Sequence, residues 1–335
     1  MKPTIYDIAR LAGVSTATVS KVFNHTGRIS DKTRRRVLAI SEELGYRPSV
    51  VASALTGKRT YSIGLLIPDL ANPFFAELAR HVEDRAHELG YNVMICNTDN
   101  DESKELKYVQ LLRQKSVDGI IAATGVKNDA ALKELISHQV PISLIARNHS
   151  HLSASSVQVD DYAGGYAAAQ HLIGQGHKRI AIVLENLRIT SSKERLRGYR
   201  DALNDAGIPY DPTFVLESDF TIEGGRQAGG RLLDAAEPPS AVFACNDLLA
   251  IGVLQAAKER RVHVPEQLSV IGFDNTILAE IASPPLTTVA QPIEAMGHQV
   301  VDLIVDEIVG KSTVKKRVVL MPELIIRSST APVAG

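Results

Sequence analysis

The sequence predicts a chain of two unlike parts: a small all-α helix-turn-helix headpiece with a hinge helix, then an α/β core of two lobes built on parallel sheets. Three observations predict it. Residues 5–24, IYDIARLAGVSTATVSKVFN, have the spacing of two short helices joined by a tight turn. Beyond Arg59 the pattern changes to short apolar runs alternating with amphipathic segments of helix length. Charge divides at the same place. Residues 1–60 hold eleven Lys/Arg against four Asp/Glu, a net of +7, and the other 275 hold 26 against 34, a net of −8, so the whole-chain charge of −1 hides a basic arm and an acidic body.

Taken in order, Thr4 with Asp7 three residues on is a start signal for a first helix, and Ile8, Ala9, Leu11 and Ala12 give it an apolar side. Gly13 supplies the left-handed backbone of a sharp turn, and Ser15 is an N-cap for a second helix whose Val19, Val22 and Phe23 face inward. Small Ala9 lets the helices cross closely. Thr16, Ala17, Ser20, Lys21 and Asn24 are left pointing outward, a short polar surface that suits a DNA major groove; the pair alone fits a plain helical hairpin equally well. Ser30 caps a third helix over Thr33–Leu44, with Val37, Ile40 and Leu44 on one face and Lys32, Arg34, Arg35 and Arg36 in its first turns. Cations are unfavourable at that end of a helix dipole, so an external anion such as phosphate is the expected reason for them. Gly45 ends this helix, and Pro48 begins one short marginal helix, VVASALTG, ahead of Gly57, Lys58 and Arg59.

The motifs YDIARLAGVS, TVSKVFN and GYRPSVVASAL, in that order, resemble the lactose-repressor (LacI/GalR) family of bacterial transcription regulators, and the likeness runs the full length. It implies that the second helix reads base edges through Thr16, Ala17 and Lys21, and that Leu55 matches the family's minor-groove leucine. The DNA-contacting set it implies also includes Thr4, Tyr6, Ser15, Thr18, Ser20, Asn24, His25, Arg28, Arg35 and Ala52. The hinge is too short to be stable alone, so a homodimer is expected to pair two copies over a near-palindromic operator, with the Leu55 side chains wedged between base steps. The implied domains are residues 1–46 for the headpiece, 47–60 for the hinge, and 61–335 for a core resembling the periplasmic sugar-binding proteins. Lobe one is expected over about 61–160 plus 292–321 and lobe two over about 161–290 plus 322–330, the chain crossing three times. In the family's catabolite-control members, the helix matching Ile293–Val309 displays an arginine to a phosphocarrier protein, whereas this chain has Asp302 there. A phosphocarrier is therefore not an expected partner.

The core strands are expected at Ile63–Ile67, Val93–Cys96, Gly119–Ala123, Ile142–Ile145, Ile180–Leu184, Ala241–Ala244 and Ser269–Gly272, then Val318–Leu320 and Leu324–Ile326 after the last helix. Ligand chemistry on such sheets belongs at the carboxyl ends of strands. Polar and aromatic residues collect there: Asp69, Asn72, Phe74 and Phe75, then Arg147, then Asp160, Arg195, Phe220, Asn246, Asp247, Asp274 and Gln291. Carboxylates and amides suit neighbouring hydroxyls, a guanidinium grips two oxygens, and aromatic faces stack on a pyranose, so a sugar is the expected effector. Asn72 and Asp247, each ahead of a helical segment, fit helix caps equally well. The resemblance makes Arg195 and Asp274 effector clamps.

Catalysis is not expected. GxSxG, HExxH and GxGxxG are absent, and GKST at 310–313 has Val305 where a phosphate loop needs its first glycine, so a turn is expected there. Cys96 and Cys245 lack metal or CxxC spacing and are expected to be buried free thiols, so no cofactor is expected. No run of eighteen apolar residues occurs, and MKPTIYD is not the start of a secretory signal, so a cytoplasmic protein without a membrane partner is expected. Two function classes remain: an effector-controlled DNA-binding repressor, and a sugar-binding or sugar-converting protein with a helical N-terminus attached.

Overall fold

The structure, a computed structural model, describes residues 3–23, 27–46, 59–123, 140–146 and 152–333, with Lys133 and Ile136. It divides into two units, Met1–Thr60 and Tyr61–Gly335. The expected hinge with Pro48, Ala52, Leu55, Gly57 and Lys58 lies outside the described residues, as do Asn24, His25 and Arg147.

The first unit contains α1 (Ile5–Ala12), α2 (Thr16–Phe23) and α3 (Asp31–Glu43). Thr4 and Asp7 form a reciprocal capping box, and Gly13 closes α1 at φ +65°, a conformation only glycine adopts without strain. The Ser15 hydroxyl accepts from the Thr18 amide at 3.1 Å to start α2. Ile8, Val19 and Val37 are fully buried and Val22 nearly so, one side chain or two from each helix, each contributing about 1.5–3 kcal/mol. Two expectations are corrected. The third helix begins at Asp31 and not Thr33, because the Ser30 hydroxyl accepts from the Thr33 amide at 3.3 Å and so makes Thr33 its third residue. Leu11 is 49% exposed, because the buried stripe of α1 runs through Ile8, Ala9 and Ala12 and turns position 11 away.

The second unit holds two six-stranded sheets. The first, ordered β11-β5-β4-β3-β1-β2, is parallel throughout: β1 (Ser62–Ile67), β2 (Asn92–Asn97), β3 (Gly119–Ala122), β4 (Ile142–Ile145), β5 (Ser155–Val159) and β11 (Arg317–Leu320). The second, ordered β12-β10-β9-β8-β6-β7, contains β6 (Ile180–Leu184), β7 (Val215–Glu217), β8 (Ala241–Ala244), β9 (Ser269–Asp274), β10 (Thr287–Ala290) and β12 (Glu323–Ile325), of which only β12 runs antiparallel to its neighbour. Around them lie α4 (Pro73–Glu88), α5 (Glu102–Gln114), α6 (Asp161–Gly174), α7 (Thr190–Asp205), α8 (Ile222–Leu233), α9 (Asp247–Glu259), α10 (Ile277–Ile281) and α11 (Ile293–Ile308). The chain leaves the first sheet after β5. It returns through Gln291 and Pro292 into α11, whose Met296, Val300 and Ile304 share a core with Leu78 and Val82 of α4, and it leaves again between β11 and β12.

Three strands were not expected: β5, β7 and β10. The first, SSVQV, carries its polar residues buried, with Ser155 Oγ accepting from the Lys316 amide at 3.3 Å, so its partner and not its hydropathy makes it a strand. The buried Thr287 and Thr288 hide β10 in the same way. The GKST segment is a turn with Gly310 at φ +74°, and both cysteines are buried free thiols. Among the described residues no helix is long and apolar enough to cross a membrane.

After β12 the chain closes along the second lobe. Val270 donates to Ser329 O at 2.8 Å, and Val333 to Gln175 O at 3.0 Å. His177 is buried beneath this segment, Nδ1 at 2.9 Å from Ser240 Oγ and Nε2 at 3.0 Å from Ser269 Oγ and 3.1 Å from Ala331 O; His171 Nε2 lies 3.0 Å from Thr330 Oγ1. Burial pushes both imidazoles below their ordinary pKa of 6.5. The unfolded chain therefore takes up protons first as pH falls, so stability is full above about 6.5 and is lost below it. Asp247, raised by burial to about 6, contributes with the opposite sign, which makes the comparison of two proteins the informative measurement. The melting temperature of His177→Gln should fall less than that of the wild type between about pH 7 and 5.5; equal slopes would show that His177 does not carry the linkage.

Candidate functional site

Two glycines decide the geometry at the junction of the lobes. A Cβ on Gly165 would collide with the backbone of Arg195, and one on Gly198 with the carbonyl of Tyr162, so α6 and α7 touch along their backbones. That approach brings Asp161, at the start of α6, to Arg195, in the first turns of α7. Arg195 Nε and Nη2 each donate to Asp161 Oδ1 at 2.8 Å, Nη1 donates to the carbonyl of Cys245, and the guanidinium carbon stands 3.5 Å over the centroid of the Phe273 ring. Arg195 is 6% exposed. Of its five N–H groups three are engaged here, which leaves two to point elsewhere.

Arg195 lines a narrow cleft between the lobes that encloses a cavity of about 30 Å3. The first lobe contributes Phe74, Phe75, Ala146 and Val159; the second contributes Asp161, Glu185, Ser191, Phe220 and Asp274; Gln291 comes from the second crossing. Phe74 and Phe75 meet edge to face, their ring centroids 5.0 Å apart. Asp274 ends β9 at φ +107° with Asn275 at +61°, two consecutive non-glycine residues in backbone that side chains seldom adopt. Its Oδ1 accepts from Gln291 Nε2 at 2.7 Å. Burial holds its carboxyl well above the usual range against the opposing charge of Arg195.

Six of the twelve residues expected at this site line the cavity: Phe74, Phe75, Arg195, Phe220, Asp274 and Gln291. Five others do not. Asn72, Asp160 and Asn246 are N-caps whose side chains accept from Phe74 N (3.0 Å), Ala163 N (2.9 Å) and Leu249 N (2.7 Å), and Asp69 accepts from Ala71 N at 2.9 Å at an exposed turn. Asp247 is turned into the second lobe, where Thr276 N (2.7 Å), Thr276 Oγ1 (2.9 Å) and Thr288 Oγ1 (2.7 Å) occupy its oxygens. Asn246 retains one feature of a ligand site, a buried Nδ2 with no hydrogen-bond partner among the described residues. Arg147 follows the lining residue Ala146 but lies outside the described residues. Sequence reasoning missed Asp161, Glu185 and Ser191. Glu185 had a signal, being the first polar residue after β6, and Asp161 stands beside the chosen Asp160.

In the first unit, Ala17 and Lys21 form an exposed line along α2, flanked by half-buried Thr16 and Ser20. Tyr6 is 74% exposed, and Arg28 and Arg35 are exposed near α3. Thr4 and Ser15 use their hydroxyls as caps, and Thr18 Oγ1 lies 3.0 Å from Ser15 Oγ, so these three are tied to the local fold.

Because Arg195 is buried against its counter-charge, removing it deprives Asp161 of that ion pair. Arg195→Met should lower unfolding stability by about 3–5 kcal/mol, and Asp161→Asn in the same chain should restore part of that. Urea unfolding that shows the two losses simply adding would mean the pair is not coupled.

Comparison with known proteins agrees with both units. Residues 4–49 match the model of bacterial regulatory proteins of the lacI family, and residues 169–330 that of a periplasmic binding protein-like domain. The HTH-type transcriptional regulator DegA of Bacillus subtilis (strain 168) is 49% identical over 335 residues, 99% of this chain and 99% of its own. The lac repressor dimer bound to operator and the anti-inducer ONPF superposes with a TM-score of 0.87 at 29% identity, over 99% of this chain and 100% of that one. The complex of the transcriptional regulator CelR with cellobiose gives 0.76 at 34% identity, over 98% and 99%. The chain belongs to the lacI family of bacterial regulatory proteins and is a DNA-binding transcription regulator, not an enzyme.

Proposed function

We propose that the chain is a repressor of sugar-utilisation genes whose operator affinity is set by a small uncharged sugar bound between the lobes. The observation that carries this reading is the cavity itself, where Arg195 stands between Asp161 and Asp274 with Phe74, Phe75 and Phe220 around them. Hydroxyls on neighbouring ring carbons satisfy a guanidinium and a carboxylate together, and the apolar face of the ring takes the aromatic side chains. Charge selects among sugars. Asp161, Glu185 and Asp274 line the cavity against Arg195, the one cation among its described lining residues, so that even with Asp274 held uncharged by burial the acids exceed it. A phosphorylated or carboxylated effector would enter against that field, and a neutral one would not. The CelR structure, which holds cellobiose, supports the same choice.

A thermal-shift screen of neutral mono- and disaccharides, ribose and cellobiose included, against their phosphorylated counterparts tests it. A neutral sugar at a hundred times its dissociation constant should add about 2.7 kcal/mol of stability, and Asp274→Ala should abolish both that shift and the effect of the sugar on operator binding. Stabilisation by phosphorylated sugars alone would overturn the reading.

For the other half of the function, Ala17 and Lys21 form the reading line and the cations of α3 meet phosphates. Leu55 and Ala52 belong to the same proposal as hinge contacts. A homodimer is supported by exposed Ile277 (59%) and Ile281 (67%) on α10, an apolar pair on the core that a second copy would cover. A phosphocarrier is not proposed, since Asp302 is engaged with Arg85 at 2.8 Å. Lys21→Ala should weaken binding to a near-palindromic operator by about 1–3 kcal/mol and relax sequence preference, whereas Arg35→Ala should weaken all sequences alike and flatten the salt dependence. Filter binding at two salt concentrations, with sedimentation of the same samples, measures this; unchanged preference in Lys21→Ala, or tight binding by a monomer, would refute it.

A further inference from the structure

We propose that Arg327, a residue outside the cavity, is a positioning residue that sets the effector carboxylate Asp274 by gripping Asn275. The inference rests on the reading of the cavity as the effector site. Its basis is the corner at residues 274–276. Two successive non-glycine residues there sit at φ +107° and +61°, and such backbone persists only where the surroundings over-determine it.

Three anchors do so, one for each residue. Gln291 holds Asp274, Nε2 to Oδ1 at 2.7 Å and its amide to the Asp274 carbonyl at 3.3 Å. Asp247 holds Thr276 through its amide at 2.7 Å and its hydroxyl at 2.9 Å. Arg327 holds the residue between them, Nη2 donating to Asn275 Oδ1 at 2.7 Å. Its Nη1 donates at the same time to Leu286 O at 2.8 Å, just ahead of β10, and its own amide donates to Thr287 Oγ1 at 3.0 Å. The guanidinium is thus a bracket between β10 and the corner. Its planar fork addresses both acceptors at once, which a lysine ammonium at the end of a flexible stem would not reproduce.

Without Arg327, no other described residue bonds the Asn275 side chain, and residue 275 is free to relax towards negative φ. That relaxation swings the Asp274 carboxylate off Gln291 and away from Arg195. The anchors also tie the corner to the segments that cross between the lobes. Gln291 lies on the second crossing between lobes, and Arg327 stands two residues beyond β12, the strand delivered by the third. A change in the angle between the lobes therefore reaches Asp274 from two sides.

The test compares wild type, Arg327→Ala, Arg327→Lys, Asn275→Ala and the double Ala variant in the sugar panel above, reading the concentration for half-maximal response in both melting temperature and operator release. Arg327→Ala should raise that concentration tenfold or more, Arg327→Lys by less, and the double variant no further than Arg327→Ala alone, with ligand-free operator affinity within about twofold throughout. A role confined to fastening the chain end would lower the ligand-free melting temperature and leave the half-maximal concentration unmoved; that result, or additive shifts in the double variant, overturns the proposal. Should Arg327→Ala fail to fold, Asn275→Ala alone must show the rise, and a wild-type response in it is equally fatal. A wild type silent to the whole panel overturns the sugar reading and this inference together, whereas a responsive wild type with unshifted variants overturns this inference alone.

Discussion

The pairing of Arg195 with Asp161 is the constraint on which the proposed ligand site depends, and it exists because two helices meet without side chains between them. Gly165 and Gly198 allow α6 and α7 to touch backbone to backbone, which places a buried cation against a carboxylate on the next helix. A buried ion pair is a poor source of net stability, because desolvation of both charges offsets much of their attraction. Its use lies in geometry. With Nε, Nη2 and one Nη1 proton held by Asp161 and Cys245, and with Phe273 under its face, the guanidinium has one orientation, and its remaining protons are aimed before any ligand arrives.

The same economy recurs around the cavity. Parallel strands end where the following helices begin, so in the site proposed each strand end must supply both a helix cap and a ligand contact. The structure divides this labour between adjacent residues: Asp160 caps and Asp161 pairs, Asn246 caps while the Cys245 carbonyl accepts from Arg195. Where the corner after β9 has no cap to spare, left-handed backbone and the braces from Gln291, Asp247 and Arg327 take over. Asp247 shows the cost. Its carboxyl, pushed to about 6 by burial, accepts three hydrogen bonds and does no work in the cavity.

The two units answer to different physics. The headpiece is a few aliphatic side chains under three capped helices, with its cations outside; the core is four hydrophobic clusters, two about each sheet, with charge gathered in the cleft between the lobes. In the function proposed, a basic surface recruits phosphate at long range, and an acidic cavity favours small neutral molecules over anions at short range. Keeping these fields on separate units of one chain lets each act without cancelling the other.

How much was legible in the sequence follows from the range of each interaction. The capping box of Thr4 and Asp7, the left-handed Gly13, the strands that are apolar on both faces and the turn at Gly310 are local, and local pattern determines them. So does the kind of fold, since alternating strands and helices allow few topologies. Strands β5 and β10 were hidden because their buried Ser and Thr side chains are satisfied by residues far along the chain, such as Lys316 and Thr330. The choice of Asp161 over Asp160, the withdrawal of Asp247 from the cavity and the bracket from Arg327 to Asn275 were decided by tertiary structure alone. In a run such as Asp160-Asp161 or Asn246-Asp247 every side chain has the same chemistry, and which one caps, which braces and which faces the ligand depends on where a helix axis points and what lies across it, a direction that no short stretch of sequence contains.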